Sequence, residues 1–187
     1  MSLQAITLKK EIMQAVKKGF IEIINHNPDI YSFALYSDEN CETLSVISNT
    51  LEYLKKTKKE YGEGKFDHHS KFSPDEWDFQ LTGADKEFNK LSKRLSNNFL
   101  NYDFENNEDE IIFNKFQISF YDICIDILKE LKEDHFFKNS LNKEILILFS
   151  ASEYEFEQSK QMEMVLSLND NKYSDCYIKW MKTWVDE

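Results

Sequence analysis

Apolar residues recur at three- and four-residue intervals over residues 5 to 25, where Ile12 or Met13, Val16, Phe20 and Ile23 or Ile24 share one side. Lys9, Lys10, Lys17 and Lys18 fall largely between them, which is the pattern of an amphipathic helix. Asn27-Pro28-Asp29 ends it, because proline disfavours helical geometry in the residue before it and has no N–H to extend the ladder. The period then shortens to two. Tyr31, Phe33 and Leu35 alternate with Ile30, Ser32, Ala34 and Tyr36, predicting a strand over 30–36 with two mostly apolar faces, hence a central one. Leu44 to Ile47 predicts a second strand, and the polar Ser37-Asp38-Glu39-Asn40 has turn chemistry, so an antiparallel hairpin is expected with Ser37 to Thr43 as its corner.

Asn49 with Glu52 three residues on reads as a capping box for a helix through about Tyr61, stopped by Gly62. Ser73-Pro74-Asp75-Glu76 has the same form, with proline at the first helical position and acidic residues suited to the helix dipole. Phe88, Leu91, Leu95 and Phe99 mark a further helix, opposite Lys86, Lys90, Lys93 and Arg94. The most apolar helix spans about Asp109 to Glu133, with Ile112, Phe116, Phe120, Ile123, Ile127 and Leu131 as its stripe. Residues 144–149 predict a buried strand. Residues 153–168 fit either state: Glu153 to Glu157 alternate like an edge strand, while Met162 to Leu168 suits strand or helix. Ser174 is placed to cap a final helix carrying Tyr177, Ile178, Met181 and Trp184. The expected fold is therefore α+β, an antiparallel sheet of three or more strands covered by amphipathic helices. Without repeats or proline-rich linkers, and with four glycines, residues 1–187 are expected to form a single domain.

Composition supports a real core and narrows the class. Of 187 residues 41% are apolar, including 15 Phe and 9 Tyr, so disorder is not expected. The longest apolar run, Ile145 to Phe149, is far short of the roughly 18 residues that suggest a membrane span, and the first 25 residues lack a signal-peptide core. A cytoplasmic location is expected. Cys41, Cys124 and Cys176 are odd in number and widely spaced, which argues for reduced thiols over a disulfide framework or zinc knuckle. Thirty-four acidic against 23 basic residues give a net charge of −11, which repels phosphate backbones and anionic lipid, so neither nucleic acid nor membrane is expected as a partner. A basic protein suits it better.

Candidate chemistry is sparse. Gly62-x-Gly64-Lys65 lacks both the longer cradle of a phosphate loop and its following hydroxyl, since Phe66 stands there, and no hydrolase elbow, zincin helix or dinucleotide fingerprint occurs. Asp67, His68 and His69 are weak metal candidates: adjacent histidines in an extended loop point apart, and His26 and His135 have no ligand spacing to them. No cofactor is expected. Cys124 falls on the apolar side of its helix, as a packed thiol would. Lys55, Lys56, Lys58 and Lys59 form a basic run without interleaved aromatics, which reads as a solvated face. Asp38, Glu39, Asp75, Glu76 and Trp77 make a candidate interaction surface or pocket if their segments meet, though turn, capping and core duties also account for them. Glu105, Glu108, Asp109 and Glu110 form a candidate acidic patch ahead of the long helix.

Taken in order, IYSFALYSDE, SNT, FSPDEW, FNKLSKRL, LFSAS and SLN resemble the bacterial family known as domain of unknown function 4303 over nearly the whole chain. The order carries the resemblance, since each segment alone is a strand, cap or core signature. The family pattern implies a basic-Trp pair before Ser-Pro, where this chain has Lys71-Phe72. The resemblance implies a small cytoplasmic domain without an established activity, some of whose relatives are suspected immunity partners of toxins. An acidic protein opposing a basic toxin would gain association rate and specificity from complementary fields. Two functions are thus expected: an interaction protein that binds a basic partner, or an enzyme or small-ligand domain with a carboxylate and tryptophan pocket. Missing motifs make the enzyme the weaker reading.

Overall fold

The chain is described here by a computed structural model covering residues 3–61, 70–77, 82–98, 107–154 and 156–183. Asp67, His68, His69, Phe99, Glu105 and Trp184 lie outside the described residues. The elements run α1 (Leu3–His26), β1 (Ile30–Asp38), β2 (Leu44–Thr50), α2 (Leu51–Tyr61), a 3-10 turn (Pro74–Glu76), α3 (Asp85–Asn97), α4 (Asn107–Glu133), α5 (Phe136–Leu141), β3 (Leu146–Ser152), α6 (Gln158–Leu168) and α7 (Lys172–Met181). The fold is α+β and helices dominate it.

The sheet order is β2-β1-β3, with β1 central. Residues Ile30 to Leu35 are buried without exception, which is what two apolar faces on one strand require. β1 and β2 pair antiparallel from Ile30↔Thr50 to Ser37↔Leu44, with a register shift between Ile30 and Ser32. β3 pairs with β1 in parallel, from Ser32↔Leu146 to Asp38↔Ser152, so the sheet is mixed and not antiparallel throughout. The chain crosses over between β2 and β3, and a crossover of that length allows a parallel strand where a short turn would not.

On one face of β1, Phe33 and Leu35 join Val46, Ile147 and Phe149 beneath α1, α3, α4 and α5. Phe20 sits at the centre of that layer, edge-on to Phe33 at 5.1 Å and to Phe137 at 5.0 Å. On the other face, Ala34, Ile47, Leu146 and Leu148 lie under Phe72, Trp77, Val165, Tyr177, Trp180 and Met181. α6 bridges the layers, giving Met164 and Leu168 to the first and Val165 to the second.

Several local expectations change. Asn49 belongs to β2, and Thr50 caps α2 by accepting the Tyr53 N–H at 3.1 Å. Asn49 is wholly buried and instead donates to the Tyr31 hydroxyl and the Ser70 carbonyl. The Ser73 segment forms a short 3-10 turn, and Ser73 makes no capping bond through its side chain. The buried face of α4 is broader than the expected stripe: Phe120, Ile127 and Leu131 are buried as expected and Phe116 and Ile123 pack against the core, Phe113, Gln117, Tyr121, Cys124, Ile125 and Leu128 are buried beside them, and Ile112 is exposed. Residues 158–168 are helix, and α7 is capped by Asn171, whose side chain accepts the Tyr173 N–H, with Ser174 one turn in donating to the Asn171 carbonyl.

Both sheet edges are finished by side chains. Asn169, 2% exposed, accepts the Ile147 N–H and donates to the Ile147 carbonyl, both at 2.8 Å, taking the place of a fourth strand. At the other edge Ser92 Oγ accepts the Leu44 N–H at 3.0 Å, and Thr82 bridges Ile47. There the chain approaches α1 through two glycines: a Cβ on Gly83 would stand 2.6 Å from the Gly19 carbonyl oxygen. Gly83→Ala is expected to lower stability by about 1–3 kcal/mol, the range for overpacking. Denaturant unfolding checks this, and an unchanged midpoint would mean that the two backbones separate at no cost.

Candidate functional site

The corner at 38–43 is built around one carboxylate. Asp38 accepts the Glu42 N–H at 2.9 Å and the Thr43 N–H at 2.7 Å, and also takes the Thr43 hydroxyl. Cys41 closes the turn by donating its N–H to the Asp38 carbonyl, at a left-handed φ of 56° that an L residue adopts at some cost. Its side chain is buried. From α4, Gln117 donates to the Glu39 carbonyl at 2.5 Å and Tyr121 to the Asp38 carbonyl at 3.0 Å, so the hairpin end is tied to the long helix. Asp38 and the backbone of Glu39 are therefore occupied in holding a corner.

The two carboxylate segments meet through a tyrosine. Tyr36 donates its hydroxyl to Asp75, and Asp38 and Ser152 lie close enough to act on the same hydroxyl. Burial first, and then the bond to Asp75, push the Tyr36 phenol up to about 12, because both disfavour a phenolate there. Glu76 is exposed. Trp77 is 1% exposed among Ala34, Ile47 and Phe72, so it belongs to the core and not to a pocket.

A cleft of about 540 Å³ opens beside this junction, at the C-terminal end of β3. Asp75 and Glu153 supply its carboxylates, and Trp180 takes the part expected of Trp77. Phe72 stacks on Trp180 at 5.3 Å and meets Tyr177 edge-on at 5.2 Å, while Tyr154 and Phe156 pack against each other at 4.8 Å. The aromatic partners come from α7 and from the chain after β3, far from Ser73-Pro74 in sequence. Only the raised number of aromatic residues hinted at them. Among the described residues no group of three or more His, Cys, Asp or Glu is placed to hold a metal.

The acidic patch begins α4. Glu108 and Glu110 are exposed and Asp109 is half-buried in its first turn, where carboxylates suit the dipole. Directly after them, Ile111, Ile112 and Ile118 stand 45%, 49% and 49% exposed. A groove of about 570 Å³ runs alongside between α1, α3 and α4, with Leu8, Leu95, Phe116 and Ile123 on its walls.

A family model described as Domain of unknown function (DUF4303) matches residues 9–170. The chain belongs to that family. No curated protein and no solved structure matches it. In this family member the match runs from α1 to just past Asn169, and so takes in the whole sheet, the Tyr36–Asp75 junction and the start of α4. No described helix is long and apolar enough to cross a membrane.

Two outcomes follow from this geometry. Asp38→Ala removes the acceptor that organises the corner, and since Glu42 and Thr43 can turn to water the expected loss is about 1–2 kcal/mol by thermal or denaturant unfolding. A smaller loss would mean that Gln117 and Tyr121 hold the corner alone. The buried thiols are also expected to be inert. Burial pushes Cys41 up to about 12 and Cys124 well above its usual value, while Cys176 is half-exposed. Titration with a thiol reagent near pH 8 should label Cys176 quickly in the native protein and all three cysteines in denaturant. Rapid labelling of a second thiol in the native state would show that the corner opens.

Proposed function

We propose that this chain is a protein-interaction domain that docks a basic partner on the outer face of α4. The observation that carries this reading is the three half-exposed isoleucines, Ile111, Ile112 and Ile118, directly beyond the acidic first turn. An isolated exposed isoleucine needs no explanation. Three on one stretch of helix, beside an apolar groove, with Glu108, Glu110 and Asp122 around them and Lys115 between Ile111 and Ile118, have the make-up of an interface that mixes apolar and charged side chains with an acidic excess. The net charge of −11 selects the partner's sign, since opposite fields speed association and disfavour anionic competitors. An immunity-like role, with a basic toxin as the partner, is the biological setting that the family resemblance suggests.

The test is quantitative capture from the source organism's lysate with tagged wild type and two variants, Ile111→Ser/Ile118→Ser and Glu110→Lys/Asp122→Lys, compared at low and high salt by mass spectrometry. All four positions are exposed, so the variants should fold. A basic protein should be retained by wild type, released by salt, and retained about tenfold less by each variant, a difference of about 1.4 kcal/mol. A captured set that is the same for all three proteins would remove α4 from the reading.

A further inference from the structure

The cleft beside Tyr36 and Asp75 differs from the other concavity on β3 in the sign of its charges. At the N-terminal end of β3, Lys132, Lys138 and Lys143 share a hollow with Glu133, Glu144 and Asp170, and two of these lysines are paired within it. At the C-terminal end, the charged side chains among the described lining residues are Asp75 and Glu153, both exposed carboxylates, with no Lys, Arg or His among those described residues. Six of the other described lining residues are aromatic, among serines, glutamines and aliphatic side chains, and the electron-rich faces of accessible rings add to a negative potential. The same rings already attract ammonium groups from outside the cleft: Lys71 Nζ lies 4.9 Å from the Phe72 ring centre and Lys160 Nζ 5.7 Å from that of Phe156.

We propose that this cleft binds an organic cation, a guanidinium or alkylammonium group carried on an apolar stem. The exposed carboxylates of Asp75 and Glu153 meet the charge, and the half-buried rings of Tyr154 and Phe156 receive the stem, over a floor that includes the buried Phe72 and Trp180. A volume of about 540 Å³ is in the range of small-ligand sites and far larger than a bare metal ion needs. Two carboxylates are also too few for a calcium cage, which takes six or more oxygens. The group can arrive on a free amine or on an arginine side chain of a peptide, and the recognition chemistry is the same. The site does not depend on the α4 face.

The test is an amide-resolved NMR titration of the full chain with three probes: agmatine, the peptide acetyl-Gly-Arg-Gly-amide, and the same peptide with neutral citrulline in place of arginine. Each is repeated on Asp75→Asn/Glu153→Gln, in which asparagine can still accept the Tyr36 hydroxyl and the fold should persist. Saturable shifts centred on the cleft with at least one cationic probe, no saturation with citrulline, and affinity about fivefold or more weaker in the variant are expected. Equal affinity for agmatine and the arginine peptide assigns the site to a free amine, and tighter binding of the peptide assigns it to a partner's side chain. Absence of saturation by both cations, equal binding of citrulline, or an unchanged affinity in the variant overturns the proposal.

Discussion

Everything in this structure is arranged around a strand that has no wet side. β1 is paired along both edges and buried on both faces, so two ladders and two apolar layers must be supplied by other parts of the chain. The helical layer of α1, α3, α4 and α5 meets one face. The other is met by a smaller aromatic layer drawn from residues 72–77, α6 and α7, because Ala34, Leu146 and Leu148 would otherwise face water. Burying even one such leucine side chain is worth about 1.5–3 kcal/mol, which is enough to hold a short 3-10 turn in place that has little stability of its own.

The smaller layer also makes the cleft. It covers the face of the sheet but ends beside the last residues of β3, so Phe72 and Trp180, though buried, form part of the cleft's lining. Asn169 caps the β3 edge at Ile147, and the cleft lies further along the same strand at Phe149 to Ala151. The motif segments that carry the family resemblance converge here. Tyr36 comes from the first, Phe72 and Asp75 from the third, and Ser150 and Ala151 from the fifth.

The hairpin corner shows how a cluster of acidic residues is used up by architecture. Asp38 satisfies two backbone N–H groups, while Gln117 and Tyr121 on α4 satisfy carbonyls on the same turn. An exchange of this kind couples the sheet to the helix on which Ile111 and Ile118 stand. Both faces of interest, the cleft and the outer side of α4, are therefore fastened to the C-terminal end of β1.

The sequence by itself determined the elements whose signals are local. Period-two alternation located β1, Pro28 ended α1, and apolar residues three and four apart located α3 and α4, because those patterns depend on which side of a single element is wet. It also carried the family through the order of its segments. Tertiary structure alone decided the rest. The direction of β3 depends on where a long crossover returns, which no short stretch encodes, and the antiparallel expectation failed for that reason. Asn49 had a capping pattern, yet burial beside Tyr31 and Ser70 gave its amide better partners inside the sheet. Trp77 had the neighbours of a pocket residue and went to the core, while Trp180, beyond any local motif, came to the cleft: which indole lines the cleft is set by where the aromatic layer stops, and that edge exists only once the sheet and both its covers are assembled.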